Sequence, residues 1–129
     1  MAEHPNVALV RKGFDAFGTG DMATLGTLFA DGITWHAAGR SILAGDFVGK
    51  EAVFGNFGRF VQVADSFKQD VHTILADDTH AVALVNTTIT RGGKTAIQRQ
   101  TIVFHLAGGK VTEAWFSSYD QYAADEFWA

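Results

Sequence analysis

Cysteine is absent from the chain, which excludes disulfides, thiolate metal sites and cysteine nucleophiles together. Basic residues are few: 10 Lys and Arg against 14 Asp and Glu leave a formal charge of −4. They form no cluster, so the chain lacks the electrostatic footprint of a nucleic-acid surface. Long apolar runs are missing as well. Residues 81–85 are a typical run, far below the roughly 20 residues that a membrane span needs. The opening Met1-Ala2-Glu3-His4-Pro5 has neither the basic start nor the apolar stretch of a secretion signal, so the cytoplasm is the expected compartment. Proline occurs once and glycine 14 times, a balance that suggests ordered elements joined by tight turns.

What the chain does have is apolar bulk. Its 129 residues are 47% hydrophobic and 19% charged, a globular composition long enough to bury a core in one domain, residues 1–129. Phe occurs 11 times against 2 Tyr and 3 Trp. Either a thick core or an apolar cavity can use that aromatic volume.

The hydrophobic rhythm changes once along the chain. Val7, Val10, Phe14 and Phe17 share one helical face, with Pro5 near the first turn and Gly18-Thr19-Gly20 ending the helix. Asp21 is placed to cap a second helix, with Met22, Leu25, Leu28 and Phe29 as its buried stripe and Asp31-Gly32 as its stop. A short strand over 33–37 and a Gly-punctuated loop follow. A third helix is expected over 50–64, with Val53, Phe57, Phe60, Val61 and Ala64 inward. After Ser66 the pattern becomes β. Segments 67–75, 81–90, 95–106 and 110–119 are separated by Asp77-Asp78, Gly92-Gly93 and Gly108-Gly109, all hairpin signals. Helices first and a four-strand meander after them predict an α+β domain with helices packed on one face of a curved antiparallel sheet. The aromatic tail of Tyr122, Phe127 and Trp128 is expected to close over an opening.

Three segments carry a resemblance. Phe14-Asp15-Ala16-Phe17 with Gly20-Asp21, followed by Leu28-Phe29-Ala30-Asp31, resembles the opening helices of nuclear transport factor 2-like proteins. Gly45-Asp46-Phe47-Val48-Gly49-Lys50-Glu51-Ala52-Val53 resembles the approach to their third helix. Gly109-Lys110-Val111-Thr112-Glu113-Ala114-Trp115, with Asp120 five residues on, is similar to the last strand of SnoaL-like proteins. The resemblance implies a cone-shaped, cystatin-like α+β barrel roofed by three helices, a deep pocket, and a homodimer formed through the outer sheet face. That superfamily spans isomerases, polyketide cyclases, dehydratases and non-enzymatic transport factors, so fold alone does not choose a reaction. At the three positions where the ketosteroid isomerase relatives carry proton-handling groups, this chain has Phe14, Ala37 and Ile102. Arg99 lacks the flanking carboxylate that the epoxide hydrolase pattern requires, Thr101 standing in its place.

Two side chains are candidates for proton transfer. The resemblance to SnoaL-like cyclases puts Asp120 at their acid/base position, and strand alternation would place it with Ala114, Phe116 and Ser118 on one face. Its alternative is a helix N-cap ahead of residues 121–127. His36 is a candidate acid or base, or else a hydrogen-bonded structural residue facing away from Trp35. Gln98, Gln100, Ile102 and Phe104 share the face that the resemblance turns inward. A Gln amide in an apolar pocket binds a carbonyl or hydroxyl; the alternative is that Gln98 and Gln100 lie near the mouth and are solvated. Phe14, Trp35, Phe57, Gln100, Ile102, Phe116 and Ser118 are therefore the expected binding residues. His72 faces the pocket only if its strand alternates that way, and His80 is expected exposed. No metal motif and no cofactor are expected. Two functions are in view: a cofactor-free isomerase, cyclase or dehydratase acting on a small hydrophobic carbonyl or polyketide-like compound, or a non-catalytic ligand-binding or interaction module.

Overall fold

The computed structural model describes residues 3–129. The first helix, α1, spans Pro5–Thr19. Proline at its start leaves no donor unpaired that would have been satisfied otherwise. The His4 ring accepts from the Asn6 N–H at 3.1 Å, and Gly20 closes the helix at φ 74°. A short helix, α2, covers Met22–Leu28. The Asp21 carboxylate accepts from the Thr24 N–H at 3.0 Å and from the Thr24 hydroxyl at 2.6 Å, the N-cap its position predicts.

Strands β1 (Phe29–Ala37) and β2 (Gly45–Val48) come next, then helix α3 (Lys50–Val63). The meander follows as β3 (Ser66–Ala76), β4 (His80–Arg91), β5 (Lys94–Ala107) and β6 (Lys110–Ser118), and helix α4 (Gln121–Trp128) ends the chain. The six strands form one sheet in the order β2-β1-β6-β5-β4-β3. The meander pairs antiparallel throughout, whereas β1 runs parallel to β6, with Trp35 opposite Ala114 and Ala37 opposite Phe116. Helices α1, α2 and α3 lie on its concave side. Ile33, Val53, Ala83 and Ala114 have no exposed surface there; of the surrounding aromatic side chains Phe29, Trp35 and Phe104 are buried, whereas Phe14, Phe17, Phe54 and Phe57 are partly buried. No helix among the described residues is long and apolar enough to cross a membrane.

The α+β class and the curved, helix-roofed sheet agree with the expectation, and several details differ. The sheet does not close into a barrel, because β2 and β3 keep free edges. Among the described residues there are four helices rather than three, the aromatic tail being α4. Phe29 belongs to β1 and not to α2, since its pairing opposite Val111 captures the backbone before Asp31-Gly32. The expected loop contains β2, four residues held by pairing with β1. Met22 and Val61, read as inward, are 36% and 51% exposed.

Helix α4 is seated on the loop after β1. The Gln121 amide accepts from the Ser118 N–H at 2.9 Å and donates to the Ala38 carbonyl at 3.3 Å. Asp125 accepts from the Gln121 amide at 3.1 Å and from the Arg40 N–H at 3.0 Å. Gly39 passes beneath these two side chains at φ +99°, and a Cβ there would collide with both. Gly39→Ala is therefore expected to lower stability by about 2 kcal/mol, read as a reduced denaturant midpoint at unchanged m-value.

Candidate functional site

Between the concave sheet face and the helices lies a cavity of about 140 Å³. Its volume is close to that of an engineered apolar cavity known to hold benzene. The walls are mostly aromatic. Trp35 meets Phe57 edge-on with ring centroids 4.9 Å apart, and Phe104 at 6.3 Å. Phe57 in turn meets Phe17 at 5.5 Å, and Phe14 meets Phe104 at 6.5 Å. These edge-to-face contacts are the arrangement the ring quadrupoles favour. They brace the rings against one another around the space and leave it unfilled.

The floor carries a polar row. Gln69 on β3, Thr87 on β4 and Gln98 on β5 are direct cross-strand neighbours, and all three line the cavity with Gln100. The Thr87 hydroxyl donates to the Gln100 carbonyl oxygen at 2.7 Å, and the Gln100 amide donates to the Gln98 oxygen at 3.3 Å. Thr87, Gln98 and Gln100 are 1%, 8% and 6% exposed. Two buried atoms are left over: Gln98 Nε2 and Gln69 Oε1 have no protein partner. An unpaired buried polar atom costs about 1–3 kcal/mol.

Phe14, Trp35, Phe57, Gln100, Ile102, Phe116 and Ser118 all line this cavity. Asp120 does not. It is exposed, and its carboxylate accepts from the Ala123 N–H at 3.0 Å as the N-cap of α4. The chain leaves β6 at Ser118, so strand alternation no longer governs where Asp120 points. His72 lies in a register shift of β3, between Val71 and Thr73, and is exposed. The sequence reading missed Gln69, Thr87 and Phe17 as lining residues, while Gln98 and Phe104, read as facing inward, do line the cavity. Alternation through Phe67, Gln69 and Val71, and through Val85, Thr87 and Ile89, was the signal for the first two.

His36 lies on the opposite, outer face of the sheet. Its ring contacts Asp46 at 2.6 Å through Nδ1 and Glu113 at 2.7 Å through Nε2. It stacks on Trp115 at 5.3 Å. Ionised carboxylates only accept hydrogen bonds, so both ring nitrogens must carry protons and the ring is an imidazolium. The hydrogen bond to Asp46, and then that to Glu113, raises its pKa above the usual histidine value. His36 is thus a structural pin between β2, β1 and β6.

The fold and the hollow define a class: an open-sheet α+β domain built around an apolar, ligand-sized space. The SnoaL-like domain model matches residues 10–114, and the chain belongs to that family. It is 31% identical, over the full length of both chains, to an uncharacterised protein of Mycobacterium tuberculosis. Among solved structures it is similar to Bal32a, from a soil-derived mobile gene cassette, at 40% identity and a TM-score of 0.91 over 96% of each chain. A Jannaschia protein named as a SnoaL-like polyketide cyclase shares the fold at 16% identity, with a TM-score of 0.82 over 96% of this chain and 94% of that one.

A raised folded-state pKa at His36 stabilises the protein fully below the unfolded value near about pH 6.5, and the contribution is lost as pH rises through the higher folded value. The stability advantage of the wild type over His36→Asn is therefore expected to be largest near about pH 6 and to shrink in alkaline buffer. Urea midpoints across that range measure it. An advantage that grows with pH would contradict the imidazolium assignment.

Proposed function

We propose that this chain binds a small, uncharged, largely aromatic or alicyclic molecule in the cavity and does not transform it by proton transfer. One observation carries the reading: among the described residues lining the cavity, none is titratable near neutral pH. Its polar members are the amides of Gln69, Gln98, Gln100, Asn56 and Gln121 and the hydroxyls of Thr87, Ser118 and Ser41. General acid/base catalysis requires a group that gains or loses a proton near the working pH, and amides and aliphatic hydroxyls do not. Phe14, Ala37 and Ile102 line the cavity at the positions where proton-handling groups occur in isomerase relatives. Asp120 and His36, the candidates for an isomerase, cyclase or dehydratase, are engaged elsewhere as a cap and a pin.

The electrostatics favour a neutral guest. No Lys, Arg, Asp or Glu lines the space, and an unpaired charge moved there from water would lose its hydration without compensation. Dispersion and apolar burial against Trp35, Phe57 and Phe104 supply the affinity. For a guest of one or two rings this corresponds to micromolar to millimolar dissociation constants, about −4 to −8 kcal/mol.

Titration with indane, a neutral bicyclic hydrocarbon, tests the reading. Trp35 and Trp128 line the cavity whereas Trp115 does not. Saturable change in tryptophan fluorescence and a raised Tm are expected, the fluorescence change being reduced in Trp35→Phe and the affinity unchanged in Asp120→Asn. Absence of saturation would count against a binding cavity. Turnover of a carbonyl compound that disappears in Asp120→Asn would restore the catalytic reading.

A further inference from the structure

Resting on the binding reading, we infer that the polar floor selects guests whose rim presents a carbonyl-type acceptor beside an N–H or O–H donor, as in a lactam. The acceptor would face Gln98 and the donor would face Gln69.

The direction of the contact at Gln98 follows from the existing hydrogen bonds. The Thr87 hydroxyl donates to Gln100, and Gln100 donates to Gln98. Gln98 oxygen is thereby engaged as an acceptor, which leaves Nε2 as the unpaired end of its amide. That nitrogen is buried and without a partner, and the residue is 8% exposed. Each donation polarises the next group, so the last N–H in the series is a better donor than an isolated amide. What satisfies it must be an acceptor: a ketone, quinone, lactam or ester oxygen.

The second orphan has the opposite sense. Gln69 Oε1 is also buried and unpartnered, and only a donor satisfies it. Gln69 and Gln98 flank Thr87 in a single cross-strand row, with their backbones roughly 9.5 Å apart across two strand spacings. Both side chains line the same cavity, one on each side of Thr87. A guest rim that places a donor next to an acceptor satisfies both residues, and a hydrocarbon satisfies neither. A carboxylate would satisfy Gln98 but would repel Gln69 Oε1, and it would have no cation nearby.

Four probes on one bicyclic frame separate the contributions: indane, 1-indanone, isoindolin-1-one and indane-1-carboxylate. In the wild type, 1-indanone is expected to bind about tenfold tighter than indane, and isoindolin-1-one about tenfold tighter again, one net hydrogen bond per step. The carboxylate is expected to bind more weakly than 1-indanone. Gln98→Met should abolish the preference for 1-indanone over indane, and Gln69→Met should abolish only the further gain of the lactam.

Equal affinities for the three neutral probes in the wild type would overturn the inference while leaving the binding cavity standing. A carbonyl preference that survives in Gln98→Met, or preferred binding of the carboxylate, would overturn it as well. Failure of all four probes to bind folded wild-type protein would remove the binding reading itself. The wild-type ranking decides the matter even where a variant does not fold.

Discussion

The parallel pairing of β1 with β6 is the contact on which the rest of the molecule depends. It joins residues 34–37 to residues 113–116 across some eighty positions of sequence, so it closes a long loop and must be held by more than two rows of backbone hydrogen bonds. Both faces of the pair reinforce it. On the inner face, Trp35 and Ala37 stand beside Ala114 and Phe116, and Trp35 is braced by Phe57 from α3. On the outer face, the His36 imidazolium ties Asp46 of β2 to Glu113 of β6 and stacks on Trp115. One register therefore places an aromatic wall on the cavity side and an ion-paired clamp on the solvent side. A slip by one residue would exchange the two.

Curvature of the sheet decides that the concave side holds a space. Six twisted strands curl around the side on which α1, α2 and α3 lie, and many of the side chains between them are large, planar rings meeting edge-on or at a tilt. Rings in this arrangement brace one another across gaps that aliphatic side chains would fill by adopting other rotamers. A second cluster, formed by Ala64, Ile89, Phe127 and Trp128, packs separately under α4. Helix α4 and its hydrogen-bonded seat at Gly39 thus shape one end of the hollow without filling it.

The chemistry of the hollow follows from what β4 and β5 turn inward. Val85, Thr87 and Ile89 alternate with outward residues on β4, as Gln98, Gln100 and Ile102 do on β5. This makes the floor polar at one end and apolar at the other, with hydrogen-bonding groups that do not ionise. On the reading proposed above such a surface orients a neutral guest; among the described residues that line it, none titrates near neutral pH.

Local pattern determined much of this molecule. The three-four spacing of Val7, Val10, Phe14 and Phe17, the cap at Asp21 and the glycine pairs between β4, β5 and β6 act over a few residues, and α1, α2 and the meander follow from them. Alternation along β5 put Gln100 and Ile102 on the inner face. The tertiary structure alone decided the parallel β1–β6 contact, the capture of Phe29 by that pairing, and the short strand β2, because each depends on a partner distant in sequence. It also decided Asp120. An Asp ahead of a helix and an Asp at the end of a strand look alike in sequence, and only the backbone turn after Ser118 directs this carboxylate to the Ala123 N–H. The row of Gln69, Thr87 and Gln98 is of the same kind: three ordinary polar residues become one site only where three strands fall into register.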